Sequence, residues 1–228
     1  MNVNDIERIC HYKNTIQSKF AALKSINRFD DLVANSIRLP NGAGYLLCVS
    51  ELHVGDEALI VTFAKWRVEA TTFHNKFDVT FESTERWLRQ LLLVVSDRIL
   101  FLVLNRHGRP IGHMGFANTL NDERAMELDN VVRGVPGQDA GLMGAATKAL
   151  LSWASDTFRP SSFHLRTLDD NIHAIQFYSK LGFVMDGKQP LRRIEKNRGF
   201  DHLPIEESDN NPPDRYFVRM RIDSSITI

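Results

Sequence analysis

The sequence predicts an α/β fold built on a mixed central sheet. Three observations carry that expectation. Apolar spacing switches repeatedly between helical periodicity and short strand-like runs. The run Ile99 to Leu104 is continuously apolar, as a strand covered on both faces requires. In the middle of the chain, a strand, a glycine-rich loop, a helix and a second strand follow one another, the unit from which α/β sheets are assembled.

Each element follows in order. Residues 1 to about 40 read as a helical appendage, because Ile6, Ile9, Ile16, Phe20 and Leu23 recur near helical spacing. Pro40-Asn41-Gly42 breaks the pattern, and residues 41–228 are expected to form the main domain. Gly44 to Val49 reads as the first strand. Asp56 to Val68 reads as a helix with Leu59, Ile60, Phe63 and Trp66 on one side. Thr71 to Phe81 is irregular and rich in aromatics. Ser83 is placed as the N-cap of the next helix, and Glu85 suits its positive end. That helix buries Trp87, Leu88, Leu91, Leu92 and Val95.

Ile99 to Leu104 and Pro110 to Phe116 flank the turn Asn105-Arg106-His107-Gly108 and read as an antiparallel hairpin. Ala125 to Val132 is a third strand of this group. After the loop Arg133 to Gly141, a long helix runs from about Leu142 to Asp156. It buries Leu142, Ala146, Leu150 and Trp153. Phe163 to Arg166 is a strand, Asn171 to Leu181 a helix ended by Gly182, and Phe183 opens another strand. Pro190 to Asp214 reads as a long polar excursion, too long for an ordinary hairpin loop and plausible at an acceptor site. Tyr216, Val218, Met220 and Ile222 alternate as a last strand.

Composition narrows the function classes. The chain has 228 residues, 43% of them apolar, which suffices for one well-buried core. Lys plus Arg equals Asp plus Glu, so a general polyanion binder is not expected, and no nucleic acid partner is assigned. Cys10 and Cys48 are too few for a disulfide framework and point to reduced, cytoplasmic thiols. The N-terminus carries Asp5, Glu7 and Arg8 rather than a secretory signal, and no apolar run is long enough to span a bilayer, so no membrane partner is expected. The eight histidines show no metal-ligand spacing, and no metal is expected.

The segment Arg133 to Gly144 joins a strand to a helix. A helix start offers unpaired backbone N–H groups, and glycines let a phosphate approach them. The P-loop ending Gly-Lys-Ser/Thr is absent, and so is G-x-G-x-x-G. On spacing alone, a flexible connection and a pyrophosphate cradle both remain open.

Within that loop, Gln138-Asp139-Ala140-Gly141-Leu142-Met143 resembles the Q/R-x-x-G-x-G/A pyrophosphate loop of the GNAT superfamily of N-acyltransferases, with Met143 in place of the usual small residue. Asn171-Ile172-His173-Ala174-Ile175-Gln176-Phe177-Tyr178-Ser179-Lys180-Leu181-Gly182-Phe183 resembles the family segment N-x-x-A-I-x-F-Y-x-K-L-G-F at nearly every marked position. The resemblance spans about residues 44 to 188. Asp129-Asn130-Val131-Val132-Arg133-Gly134 and the Trp66-Arg67 pair are similar to bacterial members that acetylate amino sugars on nucleotide carriers.

The resemblance implies a mostly antiparallel sheet with one splayed parallel strand pair, flanked by helices. It implies acetyl-CoA as the acyl donor and a small-molecule amine as the acceptor, in a monomer or homodimer. The pantetheine arm would lie between the strands Ala125 to Val132 and Phe163 to Arg166, against Asn130, Val131 and Val132. The pyrophosphate would meet the N–H groups of Gln138, Asp139, Ala140, Gly141, Leu142, Met143 and Gly144. Asn171 would bond the arm, with Phe177 and Tyr178 beside it. Tyr178 is the candidate acid for the departing thiolate, its alternative being a packed core tyrosine. For the base, Glu127 and Asp129 share one face of their strand, with ion pairing as the alternative. His113 is a rival base, or a structural histidine. His74, in the aromatic-rich loop, would touch substrate or be a solvated loop residue, the second reading being preferred. Cys48 reads as a buried thiol rather than a nucleophile. Arg192, Arg193, Lys196 and Arg198 would hold a substrate phosphate or form a solvated run. Protein or peptide N-acetylation, and non-catalytic acyl-CoA binding, are the competing functions.

Overall fold

The computed structural model describes residues 3–70, 75–137, 139–206 and 211–224, with only the main chain of residues 75–77 and 91. The helix α1 (Val3–Lys24) opens the chain, followed by the short α2 (Phe29–Ala34). The strands β1 (Ile37–Arg38) and β2 (Gly44–Cys48) lead to α3 (Glu57–Glu69). After β3 (Asn75–Phe77), α4 (Phe81–Arg86) continues directly as a π-helical segment, Trp87–Val94. Then come β4 (Ile99–Asn105), β5 (Pro110–Ala117), β6 (Ala125–Arg133), α5 (Leu142–Phe158), β7 (Ser162–Leu168) and α6 (Ile172–Lys180). The strands β8 (Val184–Lys196), β9 (Gly199–Pro204) and β10 (Arg215–Asp223) close the chain.

Among the described residues, ten strands form one sheet in the order β1-β2-β4-β5-β6-β7-β10-β8-β9-β3. Every neighbouring pair is antiparallel except β6 with β7. The β4 strand is buried along its whole length, as its unbroken apolar run requires. On α1, Tyr12, Ile16, Phe20 and Leu23 are spaced by four, four and three residues, so they share one face and enter the main core. Phe20 meets Phe158 of α5 edge to face at 5.6 Å.

Four expectations change. The segment 1–40 is not helical throughout, because β1 pairs Ile37 with Leu46 at its end. Thr80, not Ser83, is the N-cap of α4: its side chain accepts from the Ser83 amide while the Ser83 hydroxyl accepts from the Thr80 amide. Val95 is half-exposed rather than buried. The polar excursion contains a long hairpin, β8–β9, whose alternation is masked by Pro190 and the charges from Arg192 to Lys196. Its outer strand pairs with β3, so the aromatic-rich segment and the polar excursion are joined, Asn75 opposite Asp201.

Candidate active site

The parallel pair is short. Ala125, Met126 and Glu127 pair with Ser162, Phe163 and His164, and there the pairing ends. Beyond that point β6 stays with β5 and β7 stays with β10, so the two strands splay. Main-chain groups of both strands then face the gap, which suits an added extended arm.

The splay coincides with a β-bulge. Gly115 lies opposite Asp129, whereas His113 lies opposite Val132. Two steps along β5 thus answer three along β6, and the extra residue bends the strand. Asn130 takes the left-handed conformation there, φ 53°, which asparagine tolerates better than most residues. Its side-chain amide donates to the Asp129 carboxylate at 2.6 Å.

A cleft of about 760 Å³ opens at the splay, within the usual range for small-molecule sites. Asp129, Asn130, Val131, Asn171 and Tyr178 line it, together with Arg67 and Trp87 from the α3 and π-helical side. Tyr178 is 8% exposed. Burial, and then the charge of Asp129, push its phenol well above the usual tyrosine range, so it remains a proton donor. Asp129 is raised as well, by burial first, with Glu127 adding and Arg98 opposing; the Arg98 guanidinium lies 3.9 Å away.

The expected base residues separate in space. The Glu127 carboxylate is occupied: Arg166 approaches both oxygens, at 2.7 and 3.3 Å, and the Asn118 amide donates to it. His113 does not line the cleft. It is fully buried, edge to face with Phe63 and beside Trp66 and Trp87. Burial brings its pKa down to about 4. Its expected place as a base is corrected on this geometry, since a sealed imidazole cannot reach an acceptor amine. Asp129 alone among the three combines cleft exposure with a carboxylate not locked in a close ion pair.

The glycine-rich loop has the geometry of an anion cradle. Gly137, Asp139 and Gly141 have positive φ, and Gly141 precedes α5 with φ 82°. No side chain caps α5, and its first i to i−4 bond runs from Ala145 to Gly141, leaving the amides of Met143 and Gly144 ahead of it. The Asp139 carboxylate is held by the Asn105 amide at 3.1 Å. Ala140 and Gly141 are exposed, while the Leu142 and Met143 side chains are buried, so these two can offer only main-chain groups. Met143 thus fills the core rather than the cradle. Gln138 and His74 lie outside the described residues.

Asn171 caps α6 by accepting from the Ala174 amide at 3.2 Å, so its carboxamide nitrogen is the group left to donate into the cleft. Phe177 does not line the cleft; it packs against Tyr178 at 5.2 Å and lies beside Gly144. Val132 is buried and, unlike Val131, does not line the cleft. Cys48 is buried, which pushes its thiol up to about 12 and removes it as a nucleophile. Among the described residues no cluster of His, Cys, Asp or Glu is placed to hold a metal, and no helix is long and apolar enough to cross a membrane. The basic run is mostly paired locally: Arg193 with Glu195, Lys196 with Asp201, Arg198 with Asp78.

Sequence inspection missed Arg67, Arg86 and Arg98 as a group. All three line the cleft, from α3, from α4 and from the connection before β4, together with Arg166. Arg67 lies over the Trp87 ring at 4.5 Å, a cation–π stack, and burial brings its pKa down to about 10, still cationic at neutral pH.

Residues 47–184 match the family model described as the acetyltransferase (GNAT) domain. A probable GNAT-family acetyltransferase from Chromobacterium violaceum has the same fold, with TM-score 0.61 at 19% identity, covering 83% of this chain and 86% of that one. The spermidine N-acetyltransferase from Vibrio cholerae, solved with CoA and spermine, gives TM-score 0.60 at 16% identity over 81% of this chain and 98% of that one. The spermidine/spermine enzyme of the same organism with manganese ions gives TM-score 0.55 at 17% identity, over 81% and 95%. No curated protein sequence matches the chain.

Proposed function

The chain belongs to the GNAT family of acyl-CoA-dependent N-acetyltransferases, and from that premise we propose that it acetylates the primary amine of a small molecule that also carries negative charge, a nucleotide-linked amino sugar being the class that fits. The charge of the cleft carries this reading. Four arginines, Arg67, Arg86, Arg98 and Arg166, line it against two carboxylates, Glu127 and Asp129. Such a surplus repels a polyamine and attracts a phosphate or diphosphate. The cleft volume of about 760 Å³ is within the range of small-molecule sites and supports a small acceptor.

Acetyl-CoA supplies the activated acetyl group. The uncapped start of α5 receives its pyrophosphate, through the amides of Met143 and Gly144. Asn130 and Val131 border the pantetheine arm, and the Asn171 amide nitrogen donates to it. Asp129 takes the proton that the acceptor ammonium must lose, and burial raises its pKa, which makes it a stronger base than a solvated aspartate. The freed amine attacks the thioester carbon, the carbon–sulfur bond breaks, the Tyr178 hydroxyl gives its proton to the departing thiolate, and the second proton of the acylated nitrogen passes back to the Tyr178 oxygen. Arg166 holds Glu127, and this pair shapes the acceptor end without exchanging protons.

Thiol release from acetyl-CoA tests the reading across nucleotide-linked amino sugars, free amino sugars, spermidine and peptides. Preferred turnover of the nucleotide-linked amines supports it. Equal or better turnover of spermidine or a peptide overturns the acceptor class, and no turnover with any amine, alongside acetyl-CoA binding, would assign a purely binding role.

A further inference from the structure

A bulge creates a problem that the rest of the sheet does not have. The extra residue has no partner across the ladder, and a buried carbonyl without a donor is destabilising. At Asn130 the problem is solved from beneath. His113, on the neighbouring strand β5, places Nδ1 2.7 Å from the Asn130 carbonyl oxygen. A carbonyl only accepts, so Nδ1 carries the hydrogen and donates it. The other ring nitrogen, Nε2, is buried, and among the described residues it is the one buried side-chain polar atom without a hydrogen-bond partner.

The surroundings keep the ring in that single state. Phe63 and Trp66 of α3 and Trp87 of the π-helical segment enclose it, with ring centroids 5.3 to 6.3 Å away. Nothing there can accept a hydrogen from Nε2, and the Arg67 cation on α3 opposes a second proton. The neutral Nδ1–H tautomer follows. The same aromatic wall carries Trp87 and Arg67 into the cleft. The bulge bordering the pantetheine gap and the wall bordering the acceptor therefore meet at one imidazole.

We infer that His113 is a positioning residue for acetyl transfer: its Nδ1–H fixes the Asn130 carbonyl, which sets the bulge that aims Asp129 into the cleft and holds the β6–β7 gap open. Asp129 precedes the bulged residue and is bonded to its side chain, so a change in Asn130 rotates the carboxylate directly. His113 itself touches neither the acceptor nor the thioester. The rate readout rests on Asp129 acting as the base, as proposed above; the acetyl-CoA readout does not.

The test uses the full chain with His113→Asn, His113→Gln and His113→Phe. An asparagine amide can stand where Nδ1 stands, a glutamine amide stands nearer Nε2, and phenylalanine keeps the ring but not the donor. The expected result is that His113→Phe and His113→Gln, folded by circular dichroism, lose about 10- to 100-fold in kcat. They also bind acetyl-CoA several-fold more weakly and shift the acidic limb of the rate profile. His113→Asn recovers most of both losses. If His113→Phe does not fold, the Asn and Gln pair decides by itself. Nitrogen NMR of the labelled imidazole should show a neutral Nδ1–H ring from pH 5 to 9. A folded His113→Phe with unchanged kcat and acetyl-CoA affinity, or an Asn variant no better than Gln, or an Nε2–H tautomer, overturns the inference. If Asp129→Asn leaves kcat unchanged, the base assignment fails separately, while acetyl-CoA affinity still decides His113.

Discussion

Asp129 on β6 and Tyr178 on α6 line the same cleft, and the carboxylate opposes ionisation of the phenol. The two groups thus hold the protonation states that the proposed reaction needs: a carboxylate able to take a proton and a phenol that has kept one.

Asp129→Asn removes the proposed acceptor of the ammonium proton. It should lower kcat by about 10²- to 10⁴-fold, the usual contribution of a general base, with acetyl-CoA affinity changed little. In the wild type the ionised fraction of Asp129 grows as pH rises, so the rate should rise through a limb above the ordinary aspartate value of about 3.9. The limb should vanish in the variant. Because folding raises this pKa, the stability gained from the protonated carboxyl is present at low pH and lost as pH rises through the folded value. Asp129→Asn should therefore raise the Tm at pH 7 while abolishing turnover.

Tyr178→Phe removes the proposed donor to the thiolate and keeps the ring packed against Phe177 and Phe183. The expected outcome is a fall in kcat of about 10²-fold with an acetyl-CoA dissociation constant within a few-fold of wild type. Since the phenol is pushed up, wild-type activity should show no alkaline loss attributable to Tyr178 below about pH 10. Steady-state kinetics beside calorimetric titration separates the two effects.

Gly141→Asp places a carboxylate at the uncapped start of α5, in a left-handed conformation and in open space. Repulsion of the pyrophosphate should weaken acetyl-CoA binding on the order of tenfold or more. Gly141→Asn, which tolerates positive φ and carries no charge, should bind within a few-fold of wild type. Equal losses in both would point to backbone strain instead of the anion site.

Arg67→Gln keeps a polar side chain beside Trp87 and removes the charge. It should raise KM for phosphate-bearing acceptors by about tenfold or more, the scale of a lost charge-assisted hydrogen bond, and leave KM for acetyl-CoA unchanged. Added salt should raise the wild-type acceptor KM more than that of the variant. Uncharged amines should not discriminate between the two proteins.

His113 supplies a stability signature in acid. Its folded pKa lies near 4, below the ordinary value of about 6.5, so the unfolded chain binds the proton first. The stabilisation is fully present above about pH 6.5 and is lost as pH falls toward 4. Urea unfolding across that window should show a shallower pH dependence in His113→Phe than in wild type.

Much of the fold was legible because the patterns were local. The uninterrupted run Ile99 to Leu104 could only be a covered strand, and the Asn171 to Phe183 segment fixed both a helix and the family. Tyr178 and Asn171 stand at those motif positions, and both line the cleft. What escaped was set by tertiary pairing. The hairpin β8–β9 lies in a stretch whose outward residues are charged on both sides of the fully buried Leu191, so period-two alternation is faint. The bulge at Asn130 depends on register against β5, which no single strand carries in its own sequence. For the same reason Glu127 looked equivalent to Asp129 along the chain, and His113 stood as a rival base or a structural histidine. Burial behind Trp66 and Trp87, and the Arg166 partner 39 residues away, distinguish them only in space. The arginines at the acceptor end come from positions 67, 86, 98 and 166, too dispersed to read as a cluster.

A competition between two acceptors tests the central claim most directly. Equal amounts of a nucleotide-linked amino sugar and spermidine share limiting acetyl-CoA, and mass spectrometry identifies the acetylated product. The arginine-lined cleft predicts that the N-acetylated, nucleotide-linked sugar dominates and that adding salt erodes its lead. Acetylspermidine as the main product, insensitive to Arg67→Gln, would contradict it.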